Sequence, residues 1–139
     1  MSQLFVSSFL RRVLVADAVV SLAVGAVMAV GGVWLQAWLQ LPAVLLVPAG
    51  LSLFVYAAGV AWLSRQERVP RAAVWLVIAC NLMWAVHCIA IAAGPWFSPS
   101  WLGKAFLGAN VLTVLVFAEL EFIGLCRSVA ARAGLHQPA

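Results

Sequence analysis

Four apolar runs, Val13 to about Trp34, Ala43 to Leu63, Ala72 to Ala93 and Leu102 to Leu125, occupy most of this 139-residue chain. Each holds about 20 residues, which at about 1.5 Å per residue matches a hydrocarbon core of about 30 Å. Backbone groups inside such a core find no water, so they must bond within their own segment or within a closed barrel. The runs lack the alternating polarity of barrel strands, which leaves helices. The expected fold is all-α, a polytopic membrane protein built as a four-transmembrane-helix bundle, with residues 1–139 forming a single transmembrane domain.

Composition agrees: 66% of residues are hydrophobic and 9% charged, against about 45–50% and about 25% in soluble domains. Little chain remains for a soluble module, so any function sits in the membrane or at its surface. The net charge of +4 does not point to nucleic acid, because the cations are spread by topology and form no cluster. Arg11 and Arg12 precede the first run, Arg65, Arg68 and Arg71 flank the second loop, and Arg127 and Arg132 follow the fourth, while Lys104 alone lies on the other side. The positive-inside rule then places both termini and the 64–71 loop in the cytoplasm. Trp34, Trp38, Trp96 and Trp101 fall at the outer interface and Trp62 and Trp75 at the inner one, as an aromatic belt requires, with Trp84 mid-membrane.

The first run has arginines before it, as a signal peptide does, but it is longer than a signal core of about 7–15 residues and carries Asp17, so an uncleaved first helix is expected. Leu41-Pro42, Val69-Pro70, Gly94-Pro95 and Ser98-Pro99 mark the loops. Short loops make consecutive helices antiparallel neighbours. Cys80, Cys88 and Cys126 form no CxxC pair and read as small hydrophobes.

At about 100° per residue, Ala18, Ser21, Gly25, Ala29 and Gly32 make a small-residue stripe on the first helix, and Gly50, Ala57, Ala61 and Ser64 make one on the second. Their close pairing is the preferred helix contact. On the fourth helix Gly103, Asn110, Thr113, Phe117, Glu121 and Gly124 share the side expected to face the bundle. Glu119 points nearly opposite, among Leu112, Leu115, Val116 and Ile123.

Three of the four carboxylates, Asp17, Glu119 and Glu121, lie within the apolar runs. Ionisable groups in a membrane are costly and are candidates for function. Asp17 and Glu121 each sit about 8–9 Å inside an arginine of their own helix, so they can meet at one depth and share a proton or bind a cation. The competing and preferred reading is that Arg12 and Arg127 fold back to pair with them while reaching the headgroups. Asp17 also has Ser21 one turn away, or a helix start to cap. Glu119 points to a partner surface or a protonated state. The candidate polar site is therefore Asp17, Glu119, Glu121, Asn81, His87 and Asn110.

The third helix places Cys80, Trp84, His87 and Cys88 on one broad face, with Asn81 at its margin. His136, in the tail, is the only other histidine. A haem would lack its axial pair and two thiols with one imidazole have no compact ligand spacing, so neither cofactor nor metal is expected and His87 reads as a packed, hydrogen-bonded side chain. No P-loop, GxGxxG, HExxH or Ser-His-Asp pattern supports an enzyme. Ala16-Asp17 and Cys80-Asn81 occupy comparable places in the first and third runs, a faint echo of a two-hairpin repeat.

With Leu10-Arg11-Arg12 and Ala16-Asp17, Pro42 to Leu51, Asn81 with Trp84, and Ala118-Glu119-Leu120 through Gly124-Leu125, the chain resembles an uncharacterised family of small bacterial four-helix integral membrane proteins. The resemblance spans most of the chain and implies a multi-pass protein of the bacterial inner (cytoplasmic) membrane, without an activity. Two functions are expected in order: a non-catalytic accessory or structural subunit packing against a larger membrane complex, then a small homo-oligomeric transporter or channel with proton- or cation-coupling carboxylates. The partners implied are the lipid bilayer and another membrane protein or a second copy of this chain, with no nucleic acid.

Overall fold

A computed structural model describes residues 3–134, with side chains from Gln3 to Val129. His136 and the side chain of Arg132 lie outside the described residues. The order is β1 (Gln3–Phe5), α1 (Ser8–Leu39), α2 (Ala43–Arg65), β2 (Arg68–Pro70), α3 (Arg71–Ala93) and α4 (Trp101–Gly134). All four helices are long and apolar enough to cross a membrane, and the chain has the form of a multi-pass membrane protein.

The helices outrun the apolar segments, because a charge ends an apolar run without ending a helix. Helix α1 begins at Ser8, where Ser7 caps it by accepting a hydrogen bond from the Leu10 amide at 3.2 Å. Arg11 and Arg12 then sit exposed in its opening turns. Asp17 lies deep within the helix and caps nothing. At the far end Gln40 turns the chain with a left-handed φ of 53°, and the Gln36 side chain accepts from the Ala43 amide at 3.3 Å, tying α1 to the start of α2.

Two antiparallel hairpins result. Helix α2 packs along α1 and α3 along α4; α1 also meets α4, whereas α2 scarcely touches either α3 or α4. The α1–α2 contact is backbone to backbone. A Cβ on Gly50 would lie 2.6 Å from the Ala29 nitrogen and 2.7 Å from the Gly25 carbonyl oxygen, and one on Gly25 would lie 2.9 Å from the Gly50 oxygen. No side chain fits there, and small residues allow helices this approach without a hydrophobic drive between them. Gly32 meets Val47 one turn above, and Ala57 and Ser64 are buried below.

The hairpins are joined at both ends. At one end the Ser100 amide donates to the Leu39 carbonyl at 3.0 Å and its hydroxyl to the Trp38 carbonyl at 2.6 Å, while Gly103 abuts the Leu39 carbonyl. At the other, β1 pairs antiparallel with β2, Leu4 opposite Val69. This strand pair is absent from the sequence reading, since three residues are too few to show alternation and Val69-Pro70 reads as a turn. It buries Leu4 and Val69, and Arg68 lies 4.5 Å over the Phe5 ring. The N-terminal segment and the loop before α3 thus share one end of the bundle. Six of the seven tryptophans are exposed towards the helix ends, and Trp84 alone is half-buried between them.

The core falls into two apolar layers. One contains Leu4, Leu10, Leu14, Val69, Val74 and Leu125, and the other Met28, Leu39, Leu41, Leu46, Leu53 and Leu107. The polar residues lie between them.

Candidate functional site

Every helix contributes to that middle layer: Asp17 and Ser21 from α1, Tyr56 from α2, Asn81 from α3 and Glu121 from α4. The Tyr56 hydroxyl donates to Asp17 Oδ2 at 2.6 Å. Asn81 Nδ2 donates to the same oxygen at 3.3 Å and to Glu121 Oε2 at 3.2 Å, so one amide bridges both carboxyl groups. Ser21, one turn along α1, donates to Asp17 Oδ1 at 3.2 Å. Asp17 is 1% exposed and Glu121 0%, so this is a cluster of acids in the interior and not at its edge.

The two acids are unequal. Asp17 receives hydrogen bonds from three side chains, whereas Glu121 receives one, and its Oε1 is buried without a hydrogen-bond partner among the described residues. Buried polar atoms are nearly always paired, because each unpaired one costs about 1–3 kcal/mol. An orphaned carboxyl oxygen is expensive for a group with only a packing role.

The expected arginine partners are not there. Arg127 lies 4.8 Å over the Phe9 ring, and Arg12 is exposed, with no ion pair to Asp17 among the described residues. The fully buried Leu10, Leu14, Val74 and Leu125 fill the layer between the arginine level and the acids. Gly124 lets the α1 backbone come close: a Cβ there would stand 3.0 Å from Leu10 Cδ1. A packed apolar plug gives a guanidinium no route inward.

On the opposite side of the acids a cavity of about 400 Å³ opens between the hairpins, lined by all four helices. Asp17, Ser21, Tyr56 and Asn81 form its polar end, and Trp84, Phe106 and Phe117 contribute aromatic walls. It exists because α2 stands apart from α3 and α4. The exposed Ser52, Met83 and Ala109 lie at its mouth, on the outside of the bundle.

The remaining candidates separate. Asn110 lines the cavity but donates to its own helix at the Phe106 carbonyl, 2.9 Å, as Thr113 does to Ala109 at 2.8 Å. Glu119 is exposed on the outer face of α4, beside exposed Leu112, Leu115, Val116 and Ile123. His87 is exposed, makes no hydrogen bond among the described residues and only borders an apolar recess of about 70 Å³ with Cys88; it is not the packed, hydrogen-bonded residue expected. The inward face of α3 runs through Val74, Val77, Ile78, Asn81, Ala85 and Cys88, which puts Asn81 at its centre and not its margin. Of the small residues, Ser21, Gly25, Gly32, Gly50 and Ala57 are buried and Ala29 and Ala61 half-buried in the helix contacts. The three cysteines are free, and no group of three or more metal-ligating side chains occurs among the described residues.

Sequence reasoning missed Tyr56. A signal was present: it is the only tyrosine in the chain, and it falls inside an apolar run, away from the interfacial belt where tyrosine is usual. Asp17 and Asn81 are 64 residues apart, and Tyr56 and Glu121 one residue further, so each hairpin brings its own polar pair to the same layer. No family model matches the chain, and no curated protein or solved structure is detectably similar to it.

Proposed function

We propose that the protein is a small membrane carrier in which the Asp17–Asn81–Glu121 cluster exchanges a proton for a solute held in the cavity between the hairpins. The observation that carries this reading is the interior Asp17 carboxyl group at the polar end of a 400 Å³ cavity, linked through the Asn81 amide to a second interior acid, Glu121, behind it. The Asn81 amide bonds both carboxyl groups, so a change at one acid is transmitted to the other. Tyr56 and Cys80 are the other titratable groups facing the pair, and no cationic side chain lines the cavity. Recurrence of the polar residues in the two hairpins supports the reading, since transporter sites sit at the interface of repeated units. The α1–α2 and α3–α4 hairpins are then the bodies that move past one another, the wide gap beside α2 allowing it.

The decisive experiment is flux in proteoliposomes carrying a trapped pH indicator, challenged with an amine, a carboxylate, a sugar and a neutral lipid-like solute. Proton movement coupled to at least one class is expected in the parent, and its loss in both Asp17→Asn and Glu121→Gln. Absence of coupled flux for every class in the parent, or undiminished flux in both variants, rejects the carrier.

A second reading, an accessory subunit of a larger membrane complex, is favoured by Glu119, whose exposed carboxyl group lies on an apolar helix face. A partner helix offering a donor removes the cost of that exposure to lipid. Mass spectrometry after purification in mild detergent tests it, and recovery of the chain alone counts against it.

The proposed location is the bacterial inner membrane, supported by the resemblance to small bacterial four-helix proteins. Both termini face the cytoplasm, as the arginine bias requires. In a background without the native cysteines, Lys104→Cys is expected to react with an impermeant maleimide on intact cells and Arg68→Cys only after lysis. The reverse pattern inverts the topology.

A further inference from the structure

We propose that the solute bound in this cavity is an amphiphilic organic cation, its charge at Asp17 and its apolar body against Trp84, Phe106 and Phe117. The proposal rests on the carrier reading for its role, but the site itself is tested by equilibrium binding.

Four features select this chemistry. The first is sign: Asp17 is the only carboxyl group and no cationic side chain occurs among the side chains that line the cavity, so an anion finds no charged partner there. The second is size, since about 400 Å³ falls within the range of about 300–1,000 Å³ that takes drug-sized molecules and far exceeds a dehydrated metal ion. The third is the walls. Apart from its polar end the lining is mostly apolar and aromatic, and the other polar side chains, Ser52, Asn110 and Thr113, each donate to a carbonyl of their own helix. An inorganic cation needs several oxygen ligands in place of its water, whereas aromatic faces suit a diffuse organic cation. The fourth is access. Ser52, Met83 and Ala109 place the mouth on the outside of the bundle, where an amphiphile dissolved in lipid arrives directly and a strongly hydrated ion does not.

Tetraphenylphosphonium and tetraphenylborate provide the test, being matched in shape and opposite in charge. With the full chain in mild detergent, radiolabelled tetraphenylphosphonium is expected to bind saturably, at least about tenfold more tightly than the borate, and at least about tenfold more weakly to Asp17→Asn. Ala109→Trp, which narrows the mouth without touching the hydrogen-bonded cluster, is expected to lose binding as well, and Glu119→Gln to retain it. If Asp17→Asn does not fold, Ala109→Trp and the comparison of the two ions in the parent decide the matter. Equal or tighter binding of the borate, or parental affinity in folded Asp17→Asn, overturns the cation assignment, and parental affinity in Ala109→Trp overturns the placement in this cavity; in each case the carrier reading stands on its own flux test. Phosphonium binding with the expected pattern, but no coupled flux in proteoliposomes, keeps the site and removes the carrier.

Discussion

Replacement of Asn81 by leucine is expected to cost the bundle about 2–4 kcal/mol of stability, read as a lowered unfolding midpoint in mild detergent. The Asn81 amide is the one donor to Glu121 and also bonds Asp17. Without it Glu121 loses its one amide donor in a site with no exposure to solvent. Glu121→Leu is expected to behave oppositely, with stability unchanged or raised by about 1–3 kcal/mol, because an apolar side chain of similar volume removes an orphaned oxygen. The double variant Asn81→Leu, Glu121→Leu is then expected to recover most of the loss, Asp17 keeping its bonds to Tyr56 and Ser21. A double-mutant cycle with no coupling between the two positions would show that the bridging geometry carries no energy. A Glu121→Leu protein that is more stable but inactive in flux would separate the purpose of the acid from the stability of the fold.

The second large effect is expected at Gly50. A Cβ there meets the Ala29 nitrogen at 2.6 Å, the Gly25 oxygen at 2.7 Å and Met28 Cβ at 2.9 Å. Two of these are backbone atoms that no rotamer change can move, so α1 and α2 must part. Gly50→Leu is expected to lose about 3 kcal/mol or more, against about 1–3 for ordinary overpacking. Gly59, on the same helix, has nothing within 4 Å of its virtual Cβ, and Gly59→Leu is expected to lie within about 0.5 kcal/mol of the parent. Thermal melts of the pair check this, since the change in helix propensity is the same at both positions. Similar losses in both would mean that the close approach of α1 and α2 is not a tight contact. Parting these helices also separates Asp17 from Tyr56, whose 2.6 Å hydrogen bond crosses that interface, so Gly50→Leu is expected to weaken phosphonium binding even where the protein remains folded.

How far the site was legible follows from how side-chain direction is encoded. Phase along a helix distinguishes Glu121 from Glu119 two residues away, because about 200° of rotation separates them whatever surrounds the helix. That rule turned Glu121 and Asp17 inward and Glu119 outward, and it found the small-residue stripes of α1 and α2. It put Asn81 at the edge of a face and His87 within it, because a broad aromatic and cysteine-bearing face on α3 gave no sharp direction; packing against α4 decided which side was inner. The arginine pairing was wrong for a different reason. Distance along one helix shows that a guanidinium can reach an acid, but Leu10, Leu14, Val74 and Leu125 come from three helices and block the path.

What the sequence determined by itself was the number of spans, their helical nature and their order, because the bilayer core allows no other way to satisfy a backbone over about 20 apolar residues. What only the tertiary structure decided was the convergence of Asp17, Tyr56, Asn81 and Glu121 in one layer, the plug that keeps the arginines away, the cavity beside α2 and the strand pair that fastens the N-terminal segment. Each of these depends on which helix lies beside which. In a chain apolar on nearly every face, hydrophobic pattern does not choose neighbours; close-packed glycines and a few hydrogen bonds between helices do.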